Sequence, residues 1–580
     1  MGKIFRFHTD VDTDQIIASQ YLLYPTVEEM KSHAFESLDA DFAARVQPGD
    51  YVVAGENFGC GSSREQAPAV LKALGVRAVV AKSFARIFFR NAINIGLPVI
   101  VCKPLYDHVS QGEEMELSLD EGTVTVNGTV YPLYQTQPLY ADNFESGRPA
   151  GLSEWRGGIS MGMTLAEKII ASAAGVELVR PGDIHTVELD LLMSNDGTTH
   201  LTIDMYRKLA QPRIADVSKL VWIVDHNMPC DSVKTAASHK KMRDFAREHG
   251  ITFYEGKGVC HQIMMEEHVR PGQLIFGADS HTCAYGALGA FGTGVGCTDY
   301  LYAMVTGKSW VLVPESLRFD LKGRLRPGVT ARDLILTIIG RIGANGANYK
   351  AMEFAGEGLK SLTMSDRIAI CNLCVEAGAK TAVMEADEVA QAYLAQRGRT
   401  PKAIFHSDED AVYAGVYEVD LDSIVPVVAK PHFVDQVVPA EECRGIRIDE
   451  AFLGSCNNGR IEDLRAAAAI LRGRKVAERV RFLVVPASAQ VFRQAMEEGL
   501  MKVFLEAGAI VMNANCSVCW GSCQGVIGEG ETLISTGTRN FKGRAGHPNS
   551  YVYLASSETV TASAILGHIA LASDLPPMEE

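Results

Sequence analysis

Positive charge is what this chain lacks: 55 lysines and arginines stand against 70 aspartates and glutamates, a formal net charge of −15. That balance disfavours any wide phosphate-binding surface, so no nucleic acid is expected as a partner. A small anionic substrate in a local basic pocket stays compatible with it. Long apolar runs are also missing. The uncharged stretch HTCAYGALGAFGTGVGCT, His281 to Thr298, is dense in glycine and shorter than a bilayer span, and it reads as buried loop and helix. The start, MGKIFRFHTD, holds Lys3, Arg6 and Asp10 and no apolar run of signal-peptide length. Arg6 also stands where a myristoylation signal needs serine or threonine. A cytoplasmic protein without a membrane partner is expected. A disulfide framework is excluded as well, because thirteen cysteines, an odd number, are scattered over a long chain. Reduced thiols are then free to bind metal. Neither a tandem repeat nor a low-complexity tract occurs.

The remaining composition, 47% hydrophobic and 22% charged, is that of a globular protein, and 580 residues are enough for several cores. The segment SGRPAGLSEWRGGIS, 146–160, mixes four glycines with Pro149 between two regions of clear periodicity, and it is the best boundary in the chain. Just after it, Thr164 and Glu167 have capping-box spacing ahead of an apolar helical face that Gly175 can stop. Two units are expected: 1–145, then a linker over 146–160, then 161–580. In the first, the runs at Tyr51–Gly55, Arg77–Ala81 and Leu97–Val101 alternate with helix-like segments. In the second, Lys219–Asp225, Gln273–Asp279, Arg481–Ala487 and Ala509–Asn515 each end in a polar or glycine-rich loop. The class is α/β and multidomain, and sites in such sheets form beyond the carboxyl ends of strands.

Three cysteines stand out: Cys456 in LGSCNNGRIEDLR, and Cys516 with Cys519 in NANCSVCWGSC. A C-x-x-C pair with a third thiol from a distant loop suits zinc, a redox pair or an iron–sulfur cluster, and Cys523 is a possible fourth ligand. Acid and imidazole groups gather at expected strand ends: Asp225 and His226 in IVDHNMPCD, His261 in GVCHQI, and Asp279, Ser280 and His281 in GADSHT. Arg539 and Arg544 in STGTRNFKGR offer guanidinium forks suited to carboxylates. Asn372 and Glu376 have the i,i+4 spacing of one helix face. In ENFGCGSSREQAPAVLKALG, residues 56–75, Ser62 has no histidine beside it, and with Glu65 it has capping-box spacing. Pro68 is expected to kink the helix that follows.

Taken together, GSCNNGRIEDL, CSVC, DSHT, CNLCVEAGA, RNFKGR, GSSRE and DTDQII resemble the aconitase superfamily of hydro-lyases over nearly the whole chain. The closest likeness is to the branch of isopropylmalate dehydratase, homoaconitase and 2,3-dimethylmalate dehydratase, whose small and large subunits are commonly separate chains. The resemblance implies an aconitase-like architecture in which an N-terminal swivel domain precedes three-layer α/β/α domains around a 4Fe–4S cluster. It implies Cys456, Cys516 and Cys519 as cluster ligands, with Cys523 spare. It makes Ser62 the catalytic base, Ser63 and Arg64 its substrate-binding neighbours, and Asp225, His226, His261, Asp279, His281 and Glu376 the acid–base groups. Arg539, Arg544 and Asn195 match substrate contacts. Leu23 stands where enzymes taking tricarboxylates tend to present arginine, which favours a dicarboxylate bearing an alkyl group. The implied reaction is dehydration and rehydration of a 2-hydroxy dicarboxylic acid, 3-isopropylmalate/2-isopropylmalate isomerisation first. 2,3-Dimethylmalate or citramalate dehydratase, homoaconitase and aconitase are the alternatives. An RNA-binding regulator on this fold is disfavoured by the negative charge, and a structural zinc protein is the other competing class. Two departures from the pattern are Asn457, where threonine is usual, and Thr538, which replaces the asparagine usual before Arg539 and leaves one substrate contact unassigned.

Overall fold

Strands covered on both faces leave continuous apolar runs, and most of the runs that stand out in the sequence hold inner strands of parallel ladders, whereas Leu97–Val101 and Ala509–Asn515 hold strands at sheet edges. The computed structural model describes residues 1–580 except 23, 25, 120, 121, 134–161, 522 and 578–580. The expected linker, 146–160, and the meeting point of the two expected units lie outside the described residues. Among those described, no helix is long and apolar enough to cross a membrane.

Residues 2–132 build a seven-stranded sheet. Its spatial order is Val99–Val101, Ala78–Ala81, Tyr51–Ala54, Gly2–Arg6, Glu114–Ser118, Thr123–Val126, Thr129–Pro132. The first four strands are parallel, and the last three continue the sheet antiparallel. Beyond the undescribed stretch stand three further large sheets. The five-stranded one is wholly parallel, in the order Thr252–Glu255, Leu220–Val224, Leu191–Asn195, Leu274–Gly277, Phe291–Gly294. A four-stranded parallel sheet runs Thr381–Met384, Ala351–Ala355, Ser316–Lys322, Gly415–Asp420. The last sheet has Glu450–Gly454 between Thr532–Ser535 and Arg481–Val485. The helix Leu165–Ala174 opens with the Thr164/Glu167 capping box and stops at Gly175 in the left-handed conformation, φ 69°.

At Ser62 the local expectation fails. The helix there runs Gln66–Ala73 and receives no side-chain cap. Ser62 instead donates its backbone N–H to Thr13 Oγ1 at 2.9 Å. Glu65 turns outward to cap a different helix, Cys297–Thr306. Its carboxylate accepts from the backbone N–H of Thr298 at 3.0 Å and from the Thr298 hydroxyl at 2.6 Å. Pro68 sits in the first turn, where N–H groups have no intrahelical acceptor to lose, so the helix continues through it unbroken.

The Glu65–Thr298 contact is one of several that dock residues 2–132 on the rest. Arg90 forks onto Asp299, with Nη2 to Oδ1 at 2.7 Å. Arg86 donates to the carbonyls of Ala379 at 3.0 Å and Gly294 at 3.1 Å. Asn348 donates to the carbonyl of Phe84 at 3.0 Å. Glu65→Ala is expected to lower stability by about 0.5–2 kcal/mol, the usual cost of a lost cap, measured by thermal unfolding. Ser62→Ala is expected to leave the unfolding midpoint unchanged; a loss at Ser62 and none at Glu65 would contradict this assignment of the cap.

Candidate active site

The loops that follow three neighbouring strands converge at one end of the parallel sheet. Asn195 is the last residue of Leu191–Asn195, Asp225 follows Leu220–Val224, and Asp279 lies just beyond Leu274–Gly277. Asp279 is their hub. Its carboxylate meets His261 Nε2 at 2.7 Å, accepts the backbone N–H of His281 at 2.9 Å and accepts Asn195 Nδ2 at 3.1 Å; His226 Nε2 stands 3.8 Å away. His226 Nδ1 lies 2.7 Å from Asp225, whose other oxygen accepts the Cys260 N–H at 2.7 Å. Burial alone would lower the His226 pKa. The charge and hydrogen bond of Asp225, with Asp196 and Asp279 nearby, overcome that and raise it to about 9. His226 is therefore held as an imidazolium at neutral pH.

From His281 the network crosses to the first sheet. His281 Nε2 meets Glu376 at 3.1 Å, and Glu376 pairs with Arg539 Nε at 2.9 Å, an ion pair without hydrogen-bond alignment. Burial would raise the Glu376 carboxyl; the Arg539 charge and the contact with His281 hold it below its usual range instead. Arg539 Nη2 then donates to the Gly61 carbonyl at 2.7 Å and to Ser280 Oγ at 2.9 Å. One buried guanidinium thus joins the imidazole network to the residue preceding Ser62. Ser62, Cys60, Arg86, Glu376 and Phe541 line a common cavity with about 570 Å³ of empty space. Ser63 is buried beside it, and its carbonyl accepts from Asn91 at 3.0 Å. Arg64 and Arg544 lie on the two oxygens of Asp14, at 2.9 and 3.3 Å. Leu23 lies outside the described residues, while Leu22 packs in the core of the first sheet.

Cys456, Cys516 and Cys519 face the same region. Cys456 follows the strand Glu450–Gly454 and accepts from Asn372 Nδ2 at 3.3 Å. The Cys516 N–H donates to the carbonyl of Asp225 at 2.9 Å, tying the cysteine turn to the histidine loop. Ser455 and Ser517, each adjacent to a cysteine, have φ of 66° and 50°. Left-handed backbone at non-glycine residues costs roughly 1–2 kcal/mol and persists where surrounding structure imposes it. Burial pushes the Cys456 and Cys516 thiols up, and the neighbouring sulfurs, Cys519 among them, add to the effect. Cys519 differs: burial would raise it, yet the Arg544 charge and hydrogen bonds from Thr538 take it below its usual value. The three thiols are one another's electrostatic neighbours, a donor set that suits a soft metal centre. Cys523 points elsewhere, 3.5 Å from the Ser517 carbonyl, with Asp231, Asp196 and Asp225 as its charged neighbours. The two departures from the motif have visible partners. Asn457 accepts from the fully buried Arg332 at 2.6 Å and donates to the Ala369 carbonyl at 3.1 Å; the Thr538 hydroxyl stands 3.6 Å from Cys519 Sγ.

Asp196 and Asp14 escape a reading of the sequence. Asp196 accepts the backbone N–H groups of Asp225, His226 and Asn227 at 3.1, 2.9 and 2.9 Å, and meets His239 Nε2 at 3.0 Å. Those contacts outweigh its burial and hold its carboxyl far below the usual range. In MSNDGTT it reads as an ordinary turn aspartate. Asp14 has a weak signal, its place in DTDQII, but its two arginines are far away in sequence.

Residues 167–567 match the profile of the aconitase family (aconitate hydratase), more than half of the chain. The chain belongs to the aconitase family. A second profile, the aconitase C-terminal domain, matches residues 11–104, so the unit named for the end of the family stands first in this member. The probable 3-isopropylmalate dehydratase large subunit of Methanothermobacter thermautotrophicus is 48% identical over 412 residues, 70% of this chain and 98% of its own. The 3-isopropylmalate dehydratase large subunit of Aquifex aeolicus is 47% identical over 418 residues, 71% of this chain and 97% of its own. Among solved structures, a 3-isopropylmalate dehydratase of Methanocaldococcus jannaschii is 43% identical, covering 24% of this chain and 83% of its own, with a TM-score of 0.23.

In this aconitase-family site, Asp196→Ala would leave three backbone N–H groups without their acceptor, at about 1–3 kcal/mol each. The expected result is a loss of at least about 3 kcal/mol in urea unfolding, with Asp196→Asn losing less because it keeps one acceptor oxygen. An unchanged midpoint for Asp196→Ala would contradict the anchoring role.

Proposed function

We propose that this chain is a cytoplasmic iron–sulfur hydro-lyase that isomerises 3-isopropylmalate and 2-isopropylmalate, with small and large units joined in one polypeptide. The observation that carries the reading is the match, over nearly their full length, to large subunits named for 3-isopropylmalate dehydratase, on a chain that also holds the C-terminal-domain unit. The site is compatible with it. Three neighbouring thiols beside a network of acid and imidazole groups fit a 4Fe–4S cluster held by Cys456, Cys516 and Cys519, since thiolates are the usual ligands of iron–sulfur centres. Such a group supplies, when bound, Lewis acidity toward the hydroxyl and carboxylate oxygens of a substrate.

The protein's own groups divide the remaining work. Ser62 is the base that takes the carbon-bound proton. With Arg539 on the neighbouring Gly61 carbonyl, positive charge stands close to where a serine alkoxide forms, which lowers its cost. His226, kept charged by Asp225, gives a proton to the departing hydroxyl, and Asp279 orients His261 and His281 around the same centre. Arg64, Arg544, Ser63 and Asn195 bind the substrate carboxylates and hydroxyl, with Asp14 fixing the two guanidiniums in direction. Leu23 selects an alkyl group over a third carboxylate, because a carboxylate buried against leucine loses water without gaining a partner.

The deciding experiment offers anaerobically prepared protein a panel of 3-isopropylmalate, citramalate, 2,3-dimethylmalate, citrate and homocitrate, with absorbance of the unsaturated product as readout. Isopropylmalate is expected to give the highest kcat/KM; faster turnover of citrate or homocitrate than of every alkylmalate would overturn the substrate assignment. Since Ser62 caps no helix, its alanine variant isolates the chemistry. Ser62→Ala is expected to keep its stability and its iron while turnover falls by at least about a hundredfold. For the metal, the isolated protein is expected to contain about four irons and four sulfides per chain. Serine at Cys456, Cys516 or Cys519 should remove them, and serine at Cys523 should not. Stoichiometric zinc without sulfide defeats this reading of the cysteines.

A further inference from the structure

A second cavity lies where the helix Arg86–Asn94 meets the large unit, with about 650 Å³ of empty space. It abuts the cavity that Ser62 lines, and Arg86 and Ile87 border both. Most of its wall is apolar, from Phe89, Ile93, Val295 and Leu312 to the rings of Trp310 and Tyr349. The charged groups on that wall are all cationic: Arg86, Arg90 and Lys380. Asp299, a carboxylate close to them, is already engaged by the fork of Arg90, which also lies over the Trp310 ring at 3.6 Å.

Lys380 carries the inference. It is 3% exposed, and its ammonium forms no hydrogen bond or ion pair with a described residue. Its nearest recorded partner is the face of Tyr349, 4.8 Å from Nζ. Burial and the charges of Arg86 and Arg90 push its pKa well below the usual lysine range. A buried ammonium among like charges is costly unless an anion is there to meet it. Arg86 spends Nε and Nη1 on backbone carbonyls and Arg90 spends its fork on Asp299, so Lys380 and the partnerless Nη2 of Arg86 are the donors left for a ligand. That supply, an ammonium and one guanidinium nitrogen, offers a donor to each oxygen of one carboxylate. The apolar wall asks for a hydrocarbon body on the same molecule.

We infer that this interunit cavity is a binding site for a small monocarboxylate with a branched or aromatic apolar body, its carboxylate on Lys380 and its hydrocarbon against Phe89, Ile93 and Trp310. Bound there, the ligand would touch both units at once, since Phe89 and Ile93 come from the first and Lys380 and Trp310 from the second. The site would therefore act on how firmly the two halves of the catalytic cavity are held together.

Titration of the holoenzyme with phenylacetate and 4-methylpentanoate, followed by calorimetry and Trp fluorescence, tests the proposal. A single saturable site is expected, with phenylacetamide binding at least about tenfold more weakly because it lacks the charge-assisted contact. Lys380→Met keeps the apolar stem and is expected to lose the carboxylates by a similar factor. The thermal midpoint of the unliganded variant should hold or rise, because a buried like charge has gone. Binding must also persist in saturating 3-isopropylmalate. Equal affinity for acid and amide, unchanged affinity in Lys380→Met, displacement by isopropylmalate, or no saturable binding would each overturn it. The acid–amide comparison uses the unmodified protein, so it decides even if the variant fails to fold.

Discussion

Taking a carboxylate out of water costs several kcal/mol unless a partner replaces the water, and the centre of this protein buries Asp196, Asp225 and Glu376 and half-buries Asp279 within a few side chains of each other. The whole arrangement follows from meeting that constraint. Asp196 is satisfied by backbone N–H groups and His239, Asp225 by His226 and the Cys260 N–H, Asp279 by His261, Asn195 and a backbone N–H, and Glu376 by His281 and Arg539. Each histidine is thereby fixed in orientation by a carboxylate. The acids that look like an electrostatic burden are what hold the imidazoles in place. Because Arg539 also donates to the Gly61 carbonyl, the guanidinium that compensates the last of these acids spans both units.

The docking surface has two characters. Near Ser62 it is a network of matched charges and hydrogen bonds around a cavity. Along the helix Arg86–Asn94 it is cationic against apolar, with Asp299 and backbone carbonyls absorbing most, but not all, of the positive charge. The two parts share Arg86, so a change in packing at one is transmitted to the wall of the other.

Much of this was legible in the sequence, for physical reasons that can be named. Leu220–Val224 and Leu274–Gly277 are covered on both faces, so their apolar runs are continuous, and the polar residues ending them had to lie at the carboxyl edge of a parallel sheet. The Thr164/Glu167 capping box read correctly because both partners are local. The same spacing misled at Ser62, where Glu65 found a better donor set 233 residues away at Thr298. Pro68 misled for the opposite reason, being close enough to the helix start to cost nothing. Asp196 was invisible because its role is defined by backbone N–H groups of another loop, which leave no trace in side-chain identity. Cys456 and Cys516 were legible as a constellation. The left-handed serines that aim them were not, since serine gives no hint of positive φ.

The cap that Glu65 provides to the helix Cys297–Thr306 means that the larger unit is not self-sufficient at this point: one of its helices begins on an acceptor that belongs to its neighbour. Where such halves are separate molecules, that debt is settled by collision, and the proportion of complete sites depends on how much of each half is made. In a single polypeptide the encounter is intramolecular, its effective concentration set by the tether and not by expression level. The two halves are produced in fixed one-to-one ratio, and diluting the protein does not take the site apart.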